Sequence, residues 1–111
     1  MCGFVGLFLP KNSSPRDIDF DAALKIMAHR GPDGNAGYRS TDGLYNVAFC
    51  RLAIIDLETG NQPIVEPEGR RVLVSNGEIY NYRELRRQYS DYSFKTQGDA
   101  ETILPVQTKY G

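Results

Sequence analysis

The chain opens with Met1-Cys2-Gly3, which places a thiol directly behind the initiator methionine. Methionine aminopeptidases remove Met1 when the next residue is small, and Cys2 would then carry both a thiol and a free α-amino group. Such an amine titrates near pH ~8, so it can serve as a base for the thiol on the same residue. Cys2 is therefore a candidate nucleophile. The alternative is a small apolar residue that opens a buried strand.

A thiol that attacks a carbonyl group needs hydrogen-bond donors for the oxyanion that develops. The pair Asn76-Gly77 offers two donors, the side-chain amide of Asn76 and the backbone N–H of Gly77. Glycine also has no Cβ to obstruct an approaching substrate. The alternative is a hairpin turn, because Asn-Gly is a strong turn signal.

Charged residues elsewhere in the chain suit the two charges of an α-amino acid. Arg51 follows a predicted strand, where its guanidinium can bind a carboxylate through two hydrogen bonds or lie on the surface. Glu78 and Asp99 suit an ammonium, with a solvated turn residue and a helix N-cap as the alternatives. We expect His29, next to a turn, to make a structural hydrogen bond. With Cys2 as nucleophile, the set predicts glutamine or asparagine as substrate.

An α+β pattern surrounds these residues. Residues 4–9 form a nearly continuous apolar run, which predicts a buried strand. Residues 37–40 and 44–50 flank a Thr-Asp-Gly turn and predict a hairpin. Residues 72–75 predict a fourth strand.

Two helices are predicted from their N-termini and their apolar faces. Asp17 is the expected N-cap of the first, and Asn81 with Glu84 three residues later is the expected capping pair of the second. The first helix has Phe20, Ala23, Leu24 and Met27 on one face, and the second has Tyr82, Leu85 and Tyr89.

A third helix is expected to begin after Asp99 and to run through Lys109. Pro105 lies within it and predicts a kinked or shortened segment, because proline in a helix interior removes a hydrogen bond and clashes one turn back. Four strands and three helices are few for two packed layers, so the sequence is expected to be part of a larger domain.

The composition excludes several classes of partner. With 13 basic and 14 acidic residues the net charge is −1, which gives no reason to expect a nucleic acid or a membrane surface as partner. No apolar run has the length of a membrane span and no signal peptide is recognisable, so a cytoplasmic location is expected. Cys2 and Cys50 are expected to stay reduced there, and with one histidine they do not make a zinc site.

Five segments together resemble the class II (N-terminal nucleophile) glutamine amidotransferase domain of glutamine-dependent asparagine synthetases. They cover the chain nearly end to end, in the order and at the spacing of that family. The segments are Met1-Cys2-Gly3, His29-Arg30-Gly31-Pro32-Asp33-Gly34, Arg51-Leu52-Ala53-Ile54-Ile55-Asp56, Asn76-Gly77-Glu78-Ile79-Tyr80-Asn81 and Gly98-Asp99-Ala100-Glu101.

The resemblance implies a role for each matching position. Cys2 would be the nucleophile, and Asn76 and Gly77 would form the oxyanion hole. A γ-glutamyl thioester would form, release ammonia and be hydrolysed to glutamate. The implied substrate-binding residues are Arg51 for the carboxylate, Glu78 and Asp99 for the ammonium, and Leu52, Ala53, Ile54 and Ile55 for the pocket wall.

The resemblance also implies a setting larger than this chain. The family's glutaminase domain is an αββα sandwich, of which residues 1–111 would be the N-terminal part, with no cofactor of its own. Its ammonia passes to a synthetase domain, where aspartate is activated by ATP and magnesium. The expected partners are L-glutamine and that domain or a completing chain, and exposed apolar sheet would favour a homodimer. Two alternatives stay open: an inactive or partner-dependent fragment that binds glutamine, and an amidotransferase for another acceptor.

Overall fold

In the computed structural model, which describes residues 1–67 and 70–111, the chain contains five strands and three α-helices. They divide between two units, Met1–Leu52 and Ala53–Gly111. Both sheets are antiparallel, and the mixture of helix and strand agrees with the predicted α+β class. No helix in the described residues is long and apolar enough to cross a bilayer.

The first unit is built on three strands, β1 (Gly3–Phe8), β2 (Gly34–Arg39) and β3 (Tyr45–Arg51). The order β1-β3-β2 places β3 in the centre, where both neighbours pair with it, and all its residues after Tyr45 are buried. The predicted hairpin is confirmed as β2 and β3, with Tyr38 opposite Val47. Gly43 in the connecting turn has φ +69°, a conformation that glycine adopts without steric cost.

The first strand does not have the burial that its apolar sequence predicts. Phe4, Val5 and Phe8 are 46%, 39% and 69% exposed. A continuous apolar run indicates burial only where both faces of the strand are covered. Because β1 lies at the edge of the three-stranded sheet, its side chains have neighbours on one side only.

Helix α1 (Phe20–Met27) begins two residues later than a helix capped by Asp17 would begin. Asp19 is the N-cap, and its Oδ1 accepts a hydrogen bond from the Ala22 N–H at 3.0 Å. The prediction of Asp17 was wrong because a capping side chain must directly precede the first helical residue. Asp17 instead forms an ion pair with Arg39 Nε at 3.1 Å. The predicted apolar face is confirmed, since its four members are the half-buried positions of the helix.

The second unit contains a short hairpin of β4 (Ile64–Val65) and β5 (Val72–Leu73). The predicted strand 72–75 is thus confirmed in shortened form. Strand β4 was not predicted, because two residues are too few to show an alternating pattern. The core of this unit is formed by Ile64, Ala100 and Leu104, with Leu73 and Tyr92 packed against it.

Helix α2 (Tyr82–Gln88) is confirmed, with its predicted face half-buried, but its predicted capping pair is not formed. Asn81 is the N-cap residue, yet its side chain makes no capping hydrogen bond. Its backbone carbonyl accepts from the N–H groups of Glu84 and Leu85 instead.

Helix α3 (Ile103–Tyr110) follows a 3₁₀ turn, Ala100–Thr102. The side chain of Asp99 does not cap this segment, so that alternative for Asp99 was wrong. The expected shortening is confirmed: Pro105 is the third residue of α3, within its first turn, where proline is better tolerated than in a helix interior.

A charged network fixes the β4–β5 hairpin to α3. Arg71 donates through Nε and Nη2 to the two carboxylate oxygens of Glu66, both at 2.6 Å, and through Nη1 to the Leu104 carbonyl at 2.9 Å. The hydroxyl of Tyr92 donates to Glu66 Oε1 at 3.1 Å. The hydrogen bonds from Arg71 lower the pKa of Glu66, while burial and then Glu66 raise the pKa of Tyr92 to about 12.

This network predicts a defined pH dependence of stability. A lowered folded-state pKa gives a contribution that is complete above the ordinary value of 4.5 and lost as the pH falls below it. The raised pKa of Tyr92 gives a contribution that is complete below pH 10.0 and lost as the pH rises towards about 12. We expect Glu66→Gln to cost about 2 kcal/mol at pH 7 and to flatten the acid limb of a pH series of denaturant titrations. An unchanged acid limb would contradict the role of Glu66.

Candidate active site

The sulfur of Cys2 is held by the backbone of Leu52, directly after β3. The Leu52 N–H donates to Cys2 Sγ at 3.3 Å, and the thiol donates to the Leu52 carbonyl at 3.6 Å. Gly3 pairs with Cys50 in the β1–β3 register. This pairing brings the start of the chain beside the end of β3. Cys2 is half-buried and Met1 is 71% exposed. The nucleophile candidate is thus fixed by backbone groups while the residue is only half-buried.

Arg30, which sequence reasoning left without a role, also contacts this residue. Its Nε donates to the Cys2 carbonyl at 3.3 Å. The neighbouring His29 makes the structural hydrogen bond expected of it, because Nδ1 lies 3.1 Å from the Ile26 carbonyl, which can only accept. The only sequence signal for Arg30 is its place in the segment that resembles the family.

The end of β3 is braced by the tight loop that starts at Gly31. A Cβ on Gly31 would lie 2.5 Å from the Arg51 nitrogen, so no larger residue fits without backbone movement. Pro32 forms a parallel bridge with Arg51, and the Asp33 N–H donates to the Arg51 carbonyl at 2.9 Å. Leu52, which holds the thiol, follows immediately.

Arg51 is buried, with 7% of its surface exposed. The alternative of a surface arginine is therefore wrong. A charge at this depth is retained only where polar groups surround it, and its field is less screened than at the surface. Arg51 keeps its place as a candidate for binding an anionic group.

In the second unit, Asn76, Gly77 and Glu78 form an exposed bend that leads towards α2. The hairpin alternative is wrong, because a helix and not a strand follows the bend. In the part of the chain that the structure describes, the side chains of Asn76 and Glu78 and the N–H of Gly77 have no hydrogen-bond partner. Donors are therefore available on this bend.

Two side chains from distant segments hold the flanks of the bend. Gln62 Oε1 accepts from the Ser75 N–H at 2.6 Å, and Asp99 Oδ2 accepts from the Ile79 N–H at 2.7 Å. Gln62 was missed by sequence reasoning, because it lies in a polar turn segment with no periodic relation to the bend. Asp99, predicted as a ligand for an ammonium or as a cap, contacts backbone next to the other candidates.

Asp99 is itself positioned by a charged scaffold. The guanidinium of Arg86 donates to the carbonyls of Thr96 at 2.6 Å and Gly98 at 3.1 Å. The buried carboxylate of Glu101 accepts from the Thr96 N–H at 2.7 Å and from its hydroxyl at 2.8 Å. The segment before Asp99 is therefore fixed without regular secondary structure.

The predicted pocket wall is divided between the units. Leu52 belongs to the first, whereas Ala53, Ile54 and Ile55 belong to the second, with Ile54 67% exposed. Next to them Asp56 has φ +53°, and its carboxylate accepts from Thr59 and Gln97.

The structure thus brings together Cys2, Arg51 and Leu52 in one unit, and the remaining predicted residues in the other. Two clefts of the second unit have volumes of about 300 Å³ each, and none of the predicted site residues lines either. Within residues 1–67 and 70–111, no His, Cys, Asp and Glu side chains are grouped as metal ligands are.

Comparison with known proteins gives one family and a consistent set of relatives. A family model described as "Glutamine amidotransferase domain" matches residues 1–111. Asparagine synthetase [glutamine-hydrolyzing] 1 of Bacillus subtilis is 38% identical over 116 residues, which cover 99% of this chain and 18% of the relative. Asparagine synthetase B [glutamine-hydrolyzing] of Escherichia coli is 36% identical, with 100% and 20% covered. The yeast Asparagine synthetase [glutamine-hydrolyzing] 1 is 38% identical, with 99% and 19% covered. The chain spans about a fifth of their length.

The close approach at Gly31 predicts a sharp difference between Gly31 and Gly34, the first residue of β2. Gly31→Ala must displace the backbone at the end of β3, at a cost of about 2 kcal/mol, and should increase the reactivity of Cys2 towards a thiol reagent. Gly34→Ala is the matched control, because its Cβ would meet nothing nearer than Arg51 Cβ at 3.9 Å. Denaturant titration and thiol-labelling rates measure both effects. Equal stability and equal labelling rates of the two variants would contradict the role of Gly31 in bracing the end of β3.

The contact of Gln62 with Ser75 predicts that the bend depends on one side-chain acceptor. Gln62→Leu keeps the approximate volume but loses the acceptor, so amide exchange at Ser75 should accelerate and stability should fall by about 1 kcal/mol. Gln62→Glu keeps an acceptor and should restore the protection. Hydrogen exchange read by mass spectrometry tests this, and identical exchange in both variants would rule out the anchoring role.

Proposed function

The chain belongs to the glutamine amidotransferase domain family, and on that premise we propose that it hydrolyses the side-chain amide of L-glutamine to glutamate and ammonia. The observation that carries the proposal is the position of the thiol of the half-buried Cys2. The thiol is held by the Leu52 backbone, directly after the buried Arg51. The proposed nucleophile, directly before β1, and the proposed anion-binding residue, at the end of β3, are thus linked through the backbone of Leu52.

In the proposed reaction, the sulfur of Cys2 attacks the side-chain amide carbon of glutamine. Once Met1 has been removed, the α-amino group of Cys2 takes the thiol proton and passes a proton to the leaving nitrogen. The C–N bond breaks, ammonia leaves, and a γ-glutamyl thioester remains. Water then attacks the thioester, and glutamate and the free thiol are formed.

The amide of Asn76 and the N–H of Gly77 are proposed as the oxyanion donors. Their availability on an exposed bend, whose flanks Gln62 and Asp99 hold, supports this assignment. Donors that are confined to one short bend before the reaction need little reorganisation as charge develops, and the loss of one costs roughly 10²–10³ in rate.

The remaining candidates are proposed to bind the amino-acid end of the substrate. Arg51 would bind the carboxylate, and its burial supports a strong charge-assisted interaction. Glu78 and Asp99 would bind the ammonium. A carboxylate has about four acceptor sites, of which the Ile79 N–H uses one on Asp99. The pocket wall would comprise Leu52, Ala53, Ile54 and Ile55.

We further propose the larger setting that the relatives' names suggest. Residues 1–111 would be part of an αββα sandwich in the cytoplasm, and a homodimer would cover exposed sheet. The ammonia would serve asparagine synthesis from aspartate, in a synthetase domain that uses ATP and magnesium. The supporting facts are the names and lengths of the relatives, which are about five times longer than this chain.

The direct test is glutamate release from L-glutamine by chain whose N-terminal Cys2 is verified by intact mass. We expect turnover that Cys2→Ala reduces by ~10⁴-fold or more. Cys50→Ser is the matched control, because serine keeps a donor for the carbonyls of Gly3 and Met27, which the Cys50 thiol contacts. A diazoketone analogue of glutamine should alkylate Cys2 alone, with loss of N₂.

Turnover that survives Cys2→Ala, or that Cys50→Ser abolishes equally, would reject Cys2 as the nucleophile. Binding of glutamine without turnover by a folded, processed chain would instead support the partner-dependent fragment. Addition of the synthetase part of a relative would then separate an incomplete site from a permanently inactive one.

A further inference from the structure

Among the asparagines of this chain, only Asn76 precedes a glycine. We propose that Asn76-Gly77 is a site of spontaneous deamidation, which converts the side-chain amide of Asn76 to a carboxylate and thereby inactivates the chain with age. The chemical claim stands on the geometry of the bend. Its functional consequence rests on the proposed function.

The reaction requires only the chain and water. The backbone nitrogen of Gly77 attacks the side-chain carbonyl carbon of Asn76, and a C–N bond closes a five-membered succinimide. The bond to the side-chain nitrogen breaks, and the former Gly77 amide proton leaves with it as part of ammonia. Water then opens either carbonyl of the ring, giving aspartate or isoaspartate at position 76.

The bend leaves room for this ring to close. Gly77 has no Cβ beside its nitrogen, and even an added Cβ would meet nothing nearer than Ser75 Oγ at 3.9 Å. Asn76 and Gly77 are both exposed, so water has access. In the described part of the chain neither the Asn76 side chain nor the Gly77 N–H is hydrogen-bonded, so no hydrogen bond must break first.

The anchors on each side confine this freedom to the bend. The Ser75 and Ile79 N–H groups are bound by Gln62 and Asp99, and only the three residues between them lack such bonds. The reactive pair is therefore the part of the segment with the least restraint.

Two other asparagines serve as internal controls. Asn46 is 1% exposed, and its amide nitrogen donates to the carbonyls of Arg16 at 2.9 Å and Gly43 at 3.3 Å. Asn12 is exposed in a loop but precedes Ser13, whose Cβ crowds the attacking nitrogen. Reactivity should follow the order Asn76, Asn12, Asn46.

The consequence follows from the charge that the reaction creates. The amide loses the N–H₂ that would donate to an oxyanion, and a carboxylate replaces it. A negative charge at that position opposes the negative charge of the tetrahedral intermediate. Each deamidated molecule should therefore lose glutaminase activity.

The test is an ageing series of the full chain at pH 6 and pH 8, followed by peptide mapping and an isoaspartyl methyltransferase assay. We expect replacement of NH by O at Asn76 first, faster at pH 8, with isoaspartate accumulating. Gly77→Ala, for which the structure offers space, should slow the reaction roughly tenfold or more, because a Cβ crowds the attack. An intact Asn76 while Asn12 reacts would overturn the proposal.

Activity measured on the same samples separates the two claims. A loss that parallels the deamidated fraction, and an equally inactive Asn76→Asp variant, would support the inactivation. If deamidated samples keep full activity, Asn76 remains a modification site but the proposed inactivation is wrong. Asn76 would then also not belong to the oxyanion hole.

Discussion

The pairing of β3 on both sides is the constraint on which the first unit depends. Because β3 is central and buried, its last residues have fixed positions, and Arg51 and Leu52 inherit that rigidity. Gly31 packs against the same strand end at a distance that only glycine permits. The backbone of Leu52 then holds the sulfur of Cys2. A residue so near the start of the chain would otherwise be mobile, so the order of Cys2 comes from strand pairing and not from its sequence neighbours.

The second unit reaches order by a different route. Its regular elements are short, and much of its chain is fixed by charged or amide side chains that bind backbone groups. Arg86, Asp99 and Gln62 bind backbone groups from distant parts of the chain. Glu101 binds the N–H of Thr96, which lies shortly before it in sequence. Such contacts place individual N–H groups and carbonyls, which a site with oxyanion donors requires. They also mean that the loss of one such side chain would release every backbone group that it binds.

The properties that support the Asn76-Gly77 bend as a proposed oxyanion site are also those that support its proposed deamidation. Donors must be exposed and uncommitted before substrate arrives, and a glycine must leave space beside them. The nitrogen of Gly77 can attack the side chain of Asn76 under the same conditions: both residues are exposed, their donors are not hydrogen-bonded, and Gly77 has no Cβ. The hydrogen bonds at Ser75 and Ile79 restrict the bend from both sides. They leave the donors of Asn76 and Gly77 free to bind another group.

The sequence by itself determined the α+β class, the β2–β3 hairpin, the apolar face of α1 and the segments of the glutamine amidotransferase family, because local periodicity, turn chemistry and short motifs carry that information. Only the tertiary structure decided that β1 is an exposed edge strand, that Asp19 caps α1, and that Arg51 is buried. It also decided that Gln62 and Asp99 anchor the bend. Burial and hydrogen-bond partners depend on residues that are distant in the chain, and no local pattern specifies which distant group will arrive.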